Sequence, residues 1–154
     1  MQNPVKLIYK FNKEAGLLDD GYSDSRECAY PIEEALEGFT TDELNETLDI
    51  NEKDLSPKEL SRKIIEYTSA YSENISDVDR FDKHLDILVF SFGSLFKLGL
   101  SPQDVMHGLT IVAERNLKKL SAGKDSYGKQ LKPKDFISPE ADLNIILMKA
   151  KKRK

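Results

Sequence analysis

The chain has 154 residues, 32% of them charged and 39% hydrophobic, with a net charge of −4, which fits one globular domain that needs no disulfide or metal to hold its core. A net charge this small neither favours nor excludes a polyanionic partner. The single cysteine, Cys28, excludes an internal disulfide framework, and the lack of a bilayer-length apolar stretch or a secretory signal predicts a cytoplasmic protein without a membrane partner.

Apolar residues recur at intervals of three and four along most of the chain, with no sustained alternation, and this pattern predicts helices. Ser-Pro pairs at Ser56, Ser101 and Ser138 mark three helix starts, because serine caps a helix and proline suits its first position. We therefore predict an all-α fold, with one domain over 1–154. The predicted helices span 25–38, 41–48, 57–72, 77–98, 102–120 and 139–150, after an irregular lead-in over 1–24.

The segments that connect and follow these helices also carry signals. Gly99 ends the longest predicted helix, and the short turn to Ser101 favours two antiparallel neighbours in a bundle. Residues 121–137 hold two glycines, a proline and four lysines without periodicity, which predicts a lysine-rich loop. The basic tail over 149–154, KAKKRK, is expected to be solvated, and contact with nucleic acid or a membrane is the alternative.

An acidic stripe lies on the first of these helices, in the segment YPIEEALEGF over residues 30–39. At about 100° per residue, Glu34 and Glu37 lie within about 60° of each other, opposite the apolar residues of the segment. Glu27 joins this stripe if the helix runs through Pro31 and leaves it if Pro31 starts the helix. Glu33 sits at the margin of the stripe.

A second acidic stripe lies on the long helix predicted over 77–98. Asp79, Asp82 and Asp86 fall within about 60° of one another, opposite a face of Phe and Leu residues. In one account this stripe is a solvated face, with Asp79 capping the helix start at Ser76. In the other, the two stripes face each other and share divalent cations, for which Mg²⁺ is suited because it prefers carboxylate oxygens. His84 and His107 are expected to be surface or packing residues, so a zinc site lacks its usual ligands.

These motifs resemble those of the all-α NTP pyrophosphohydrolase superfamily, the MazG-like enzymes that include dimeric dUTPases, dCTP pyrophosphatases and phosphoribosyl-ATP pyrophosphohydrolase. The resemblance covers about Arg26 to Pro139. The family motif is ExxE followed by ExxD, and Glu34-Ala35-Leu36-Glu37 matches its first half. In the second half, Asp86 with Ile87-Leu88-Val89-Phe90 looks like the family's D-L-L-Y/F, but Lys83 stands where the family has glutamate. Asp79 with Asp82, as DxxD, and Asp82 with Asp86, as DxxxD, are the alternative forms.

The resemblance implies a four-helix core and a Mg²⁺-dependent enzyme, with Mn²⁺ as the alternative ion, that converts a nucleoside triphosphate to its monophosphate and pyrophosphate. The metal ligands it implies are Glu34, Glu37, Asp82 and Asp86, with Asp79 in reserve. The catalytic candidates are Glu33 and Glu34. For Glu33, a role in orienting or deprotonating the attacking water is weighed equally with a rim carboxylate in a salt bridge.

Residues near the lysine-rich loop extend the resemblance. The stretch ERNLKKLSAGKDSYGKQLKPKDF looks like the family's A-N-M-S-K-L followed by G-K-V-x-K and an aromatic residue. The substrate-binding residues this implies are Asn116, Lys119, Arg115, Lys129 and Lys132, with a surface salt bridge as the alternative for Arg115. Relatives assemble as dimers or tetramers, so a homodimer or homotetramer is expected. The alternative function is a non-catalytic helical module that binds a nucleotide or a partner protein, which Lys83 favours.

Overall fold

The computed structural model describes residues 2–19, 21–48, 56–68, 75–125 and 129–153. These residues contain seven α-helices and no strand, which confirms the prediction that the protein is all-α. The helices are α1 (Pro4–Glu14), α2 (Asp24–Leu36), α3 (Thr41–Leu48), α4 (Pro57–Thr68), α5 (Asp77–Lys97), α6 (Pro102–Lys118) and α7 (Glu140–Lys151). A 3-10 turn, Lys119–Ser121, follows α6 directly.

The chain divides into two compact units. The first unit comprises Met1–Gly21 and Leu85–Lys154, and the second comprises Tyr22–His84. In the first unit α1 and α7 both pack against α6, and in the second unit α2 packs against α4. The helix α5 begins in the second unit and ends in the first.

The first unit buries small and medium-sized apolar side chains along α6. Val105 and Ala113 of α6 are buried, as are Leu7 of α1 and Ile146 and Ala150 of α7. Small residues such as alanine let helix backbones approach closely, so the three helices share one apolar core.

The helix α1 corrects the prediction of an irregular lead-in over 1–24. Asn3 Oδ1 accepts hydrogen bonds from the N–H groups of Val5, at 2.9 Å, and Lys6, at 3.4 Å. Pro4 occupies the first helical turn, so Asn3-Pro4 starts this helix in the same way as a Ser-Pro pair. The prediction missed α1 because it did not treat this Asn-Pro pair as a start signal.

The helix α2 runs through Pro31 and ends at Leu36, two residues before the predicted end. Its interior therefore includes Glu27, and Pro31 does not start the helix. Glu37 follows with an extended backbone, at φ −64° and ψ 99°, and Gly38 has φ +138°, a conformation that favours glycine. The helix ends here because neither residue continues the helical dihedral angles.

The junction between α5 and α6 is closed by hydrogen bonds around Gly99. Gly99 has φ +89°, and its N–H donates to Phe96 O at 2.9 Å, while Leu100 N–H donates to Leu95 O at 3.4 Å. This pair of bonds is a Schellman cap. The helix direction then changes by 115° before α6, which falls short of the reversal that antiparallel helices need, so that prediction is wrong. The extended backbone of Ser101, at φ −81° and ψ 164°, sets the start of α6 in the new direction.

The other predicted helices match the structure to within a few residues, except that positions 69–72 of the predicted 57–72 helix lie outside the described residues. In the predicted loop over 121–137, Lys124 and Gln130 form an isolated antiparallel bridge. Over the described part of the chain, no single helix has both the length and the apolar character to cross a bilayer, and only the bent pair α5 and α6 passes that test together.

Candidate functional site

Glu33 and Glu34 lie on the last turn of α2. Glu33 is half-buried, and its Oε2 accepts a hydrogen bond from Ser61 Oγ at 2.8 Å. Ser61, on α4, is only 2% exposed, so this bond lies in the contact between the two helices. Glu34 is exposed. The Glu33 carboxylate therefore has a structural role in joining α2 to α4.

Glu37 does not share a helical face with Glu34. The stripe predicted from 100° per residue requires a continuous helix, and α2 ends at Leu36. Glu37 is exposed in the extended segment that follows. The helical relationship between the two glutamates, as predicted, is wrong for this physical reason.

Three acids predicted as metal ligands lie on α5, and all of them are exposed. They are Asp79, Asp82 and Asp86. Asp79 Oδ2 accepts a hydrogen bond from the Ser76 hydroxyl at 2.6 Å, and Asp79 N–H donates to Ser76 Oγ at 3.2 Å. These reciprocal contacts fix the start of α5, as the account of a solvated face with a helix cap expects.

The acids predicted as metal ligands do not form a metal-binding group within the chain as described. In the described ranges, no three His, Cys, Asp or Glu side chains lie close enough together to hold a metal ion. Glu34, Glu37, Asp79 and Asp82 all belong to the second unit, and within it they do not come together around one point, as the oxygen ligands of a divalent cation do. The Mg²⁺ assignment stays a prediction.

Lys83, which replaces the expected glutamate, points at α2. Its Nζ lies 3.3 Å from Asp24 Oδ1 and 3.5 Å from Cys28 Sγ. Asp24 is only 7% exposed, and its Oδ2 also accepts hydrogen bonds from Arg80 Nε at 3.0 Å and Nη2 at 2.7 Å. One nearly buried carboxylate thus joins two cations of α5 to the start of α2.

Electrostatic effects within this group follow from its geometry. The hydrogen bond from Arg80, which outweighs the opposing effect of burial, lowers the pKa of Asp24, and Lys83 adds to the shift. Burial by itself would lower the pKa of Lys83, but hydrogen bonding with Tyr22 and the proximity of Cys28 and Asp24 raise it overall. Both effects favour the charged forms, so the ion pair persists at neutral pH.

Tyr22 covers the same group of side chains. Its hydroxyl lies 2.9 Å from His84 Nε2, and the two rings meet edge to face. The Arg80 guanidinium carbon lies 5.2 Å from the Tyr22 ring centroid and Lys83 Nζ lies 5.8 Å from it. Sequence reasoning missed Tyr22, Asp24 and Arg80. The helical spacing of Arg80, Lys83 and His84, which places these three residues near one side of α5, could have indicated Arg80.

The predicted substrate-binding residues Lys119 and Lys132 meet at one aromatic ring. The Nζ atoms of Lys119 and Lys132 lie 5.5 Å and 5.7 Å from the Phe136 ring centroid. Asn116 is half-buried one turn earlier, and its carbonyl accepts the Lys119 N–H. We call Lys119, Lys132 and Phe136 the lysine–aromatic cluster.

Gln130 connects the loop that carries Lys132 and Phe136 to the end of α6. Its side-chain amide donates to the carbonyl of Lys119 at 2.9 Å, to that of Ala122, and to that of Gly123 at 3.2 Å. Two of these carbonyls also accept backbone N–H groups, that of Lys119 from Ala122 at 3.0 Å and that of Gly123 from Leu131 at 2.9 Å, so the Gln130 amide reinforces a turn that the backbone already closes. Sequence reasoning did not single out Gln130.

Arg115 and Lys129, also predicted to bind the substrate, make contacts of a different kind. Arg115 Nη2 lies 2.8 Å from Asp142 Oδ2 and joins α6 to α7. This is the salt bridge given as the alternative for Arg115. The N–H of Lys129 donates to Asp125 Oδ1 at 2.9 Å, and its carbonyl accepts from Asp125 N–H at 3.0 Å, which closes the loop.

The arrangement therefore offers two charged features with different chemistry. The lysine–aromatic cluster in the first unit presents positive charge that suits a phosphate, whereas the ion pairs of Asp24 in the second unit are satisfied within the protein. Comparisons of the chain with protein-family models, with curated proteins and with solved structures find no match.

Proposed function

We propose that the protein is a Mg²⁺-dependent nucleoside triphosphate pyrophosphohydrolase of the MazG-like type, with a four-helix core. The observation that best supports the proposal is the lysine–aromatic cluster, in which Lys119 and Lys132 share the Phe136 ring. Both lysines come from the stretch that resembles the family, although they lie 13 positions apart in the sequence. The reaction releases a nucleoside monophosphate and pyrophosphate.

In this proposal the lysine–aromatic cluster binds the triphosphate. A triphosphate carries about four negative charges, and two ammonium groups neutralise part of them through charge-assisted hydrogen bonds. The Phe136 ring attracts both ammonium groups, each by about 0.5–1 kcal/mol at a partly exposed site, so it holds them in place before the phosphate arrives. Asn116, one helical turn away, supplies an amide donor.

The proposed metal ligands are the exposed acids Glu34, Glu37, Asp82 and Asp86. No three of these side chains lie together in the described part of the chain, so we assign no catalytic step to the metal. The hydrogen bond between Glu33 and Ser61 favours a structural role for Glu33, different from the predicted rim salt bridge, over a role at the attacking water. The metal requirement is the part of the proposal that an assay tests first.

The assay uses the purified full chain, Mg²⁺ and each common ribo- and deoxynucleoside triphosphate, with pyrophosphate release as the readout. We expect release from at least one substrate and none with excess EDTA. Glu37→Gln should lower kcat/KM by roughly tenfold or more, since ligand changes weaken metal sites by at least that factor. Glu114→Gln, an exposed glutamate on α6, is the matched control and should retain activity. Full activity in Glu37→Gln contradicts the metal assignment.

A second candidate function is a non-catalytic module that binds a nucleotide or a partner protein. The observation that favours it is the contact of Lys83 with Asp24, because a lysine replaces an expected metal ligand and its charge is matched within the protein. The same purified protein distinguishes the two candidates. Nucleotide binding in calorimetry without pyrophosphate release from any triphosphate supports the module and contradicts the enzyme.

We also propose that the protein is a homodimer or homotetramer. The support is α5, which has no buried residue and exposes large apolar side chains, including Phe81 (67%), Val89 (64%) and Phe90 (74%). At about 100° per residue, Phe81, Leu85, Leu88 and Val89 share one face of α5, and an exposed apolar face of this kind is usually covered by other protein.

The oligomeric state is measured by light scattering coupled to size-exclusion chromatography. We expect at least twice the chain mass of 17.5 kDa for the wild type. Val89→Glu should shift the mass toward that of the monomer, because a charge in an apolar contact is costly. Ser91→Glu, on the same helix, is the control and should leave the mass unchanged. A wild type that stays monomeric at high concentration contradicts the proposal.

A further inference from the structure

An apolar cavity of about 260 Å³ lies in the first unit, between α6, α7 and the end of α5. Leu, Val and Ile side chains form nearly all of its lining, including Leu95, Val105, Leu109, Leu143 and Leu147. A smaller engineered apolar cavity, of about 150 Å³, stays dry and binds benzene. The cavity of this protein is therefore large enough for a ligand of more than six carbon atoms.

Gly108 keeps this cavity open. It lies in the interior of α6 and lines the cavity, and glycine costs a helix interior about 1 kcal/mol relative to alanine. A Cβ atom at this position would meet only Leu143 Cδ2, at 3.5 Å, which is an ordinary van der Waals contact. Neither the backbone nor the packing of α7 therefore requires glycine here. Its effect is to leave space that a side chain would fill.

The guanidinium of Arg153 lies beside the cavity. Asp104, which is among the lining residues, forms a salt bridge with Arg153 at the end of α7. The Arg153 side chain is 52% exposed, and a guanidinium has five N–H donors, so it retains donors for a further anion. Lys149, Lys151 and Lys152 add positive charge to the same end of α7, in the basic tail that the proposed function does not use.

We propose that this cavity binds one aliphatic chain of roughly ten carbons, scaled from the benzene-binding cavity, and that Arg153 holds its anionic head group. The apolar lining accommodates the chain because transfer from water to an apolar site is favourable. Guanidinium binds carboxylate with two parallel hydrogen bonds, which selects an anionic head over a neutral one. The ligand class is therefore a free medium-chain carboxylate, and its binding does not depend on the nucleotide chemistry.

Calorimetry on the full chain tests the ligand class with hexanoate, octanoate, decanoate and tetradecanoate below their micelle concentrations. Affinity should rise about fourfold per added CH₂, from about 0.8 kcal/mol for each, and level off beyond about ten carbons. Octanoate should bind about tenfold more tightly than 1-octanol, because only the carboxylate gains charged hydrogen bonds. No saturable binding, or affinity independent of chain length, overturns the proposal.

Variants separate the cavity from the head-group contact. Gly108→Val should abolish decanoate binding, and Val112→Phe, which adds volume from the next turn of α6, should do the same. Arg153→Gln should weaken octanoate binding about tenfold and leave 1-octanol binding unchanged, while Lys149→Gln, the charge-matched control, should affect neither. Unchanged decanoate binding in both filled variants overturns the assignment to this cavity.

The same protein is sedimented with phosphatidylglycerol vesicles to separate a free ligand from a membrane surface. We expect decanoate to be bound in the absence of vesicles, and Gly108→Val to lose that binding. If the protein instead binds vesicles equally well with and without Gly108→Val, and decanoate does not saturate it, the basic tail binds a membrane surface and the proposal is wrong.

Discussion

Lys83 Nζ lies 3.3 Å from Asp24 Oδ1, and this contact pairs a cation of α5 with a carboxylate at the start of α2. Asp24 is nearly buried and also binds Arg80 through two hydrogen bonds. A glutamate at position 83 would face this carboxylate and repel it. The contact of α5 with the start of α2 therefore favours a cation at position 83.

Replacing Asp24 with asparagine should destabilise the protein at pH 7, because Arg80 and Lys83 lose their shared anion. The folded protein lowers the pKa of Asp24 below its ordinary value of 3.8. The carboxylate therefore stabilises the fold fully above that value, and the contribution is lost as the pH falls through the folded pKa.

Urea unfolding of wild type and Asp24→Asn between pH 7 and pH 3 measures this contribution. The difference in unfolding midpoint should stay constant down to about pH 5 and narrow below the ordinary pKa of a carboxyl group. Asp142→Asn is the control, because its salt bridge with Arg115 is more exposed and should matter little at any pH. A difference that stays constant to pH 3 contradicts the role of Asp24.

The Ser-Pro pairs at the starts of α6 and α7 should differ in their effect on stability. Ser101 Oγ accepts a hydrogen bond from Asp104 N–H at 3.2 Å, and Ser101 N–H donates to Asp104 Oδ2 at 2.8 Å. In α7 the capping position is occupied by Pro139, which makes no side-chain capping bond. Ser101→Ala should lower the free energy of unfolding by about 1 kcal/mol, whereas Ser138→Ala should change it by only a few tenths. If both variants lost the same free energy of unfolding in chemical denaturation, the reciprocal hydrogen bonds between Ser101 and Asp104 would not be the cause.

Local signals in the sequence account for most of the helices, and their failures have local causes. Ser56 and Ser101 cap helices as predicted, since each accepts a backbone N–H three residues later. Asn3 does the same for α1, but its Asn-Pro pair was not used as a signal. The Glu34–Glu37 stripe failed because periodicity does not reveal where a helix stops, and α2 stops at Leu36.

Such local signals do not predict contacts between residues that are distant in the sequence. The bond between Ser61 and Glu33 spans 28 positions, and the bond between Lys83 and Asp24 spans 59. Helical periodicity assigns a residue to a face but does not say which face of another helix covers it. Lys119 and Lys132 were predicted to bind the substrate, with Asn116, Arg115 and Lys129, only through the family resemblance, because spacing alone does not indicate that the two lysines meet at one ring.

Gly93, within α5, and Gly99, just after its end, should respond in opposite directions to replacement by alanine. Gly99 has φ +89°, a backbone conformation that strains any residue with a Cβ atom, so Gly99→Ala should cost about 1 kcal/mol or more. Gly93 lies within the helix, and a Cβ there meets nothing within 4 Å, so Gly93→Ala should stabilise the chain by about 0.5–1 kcal/mol. Thermal unfolding measures both. Destabilisation by Gly93→Ala would indicate that a second copy packs closely at this position.

The lysine–aromatic cluster makes a prediction that separates substrate binding from general charge. Lys119→Gln should raise KM for the triphosphate by roughly tenfold or more, because a charged hydrogen bond to phosphate contributes about 1.5–3 kcal/mol. Lys118→Gln removes the same charge from the preceding residue, which is exposed and not part of the cluster, and should leave KM nearly unchanged. Steady-state kinetics on the best substrate measures both variants. Equal effects of the two changes would mean that the substrate responds only to the overall charge of the loop, and the assignment of Lys119 would be wrong.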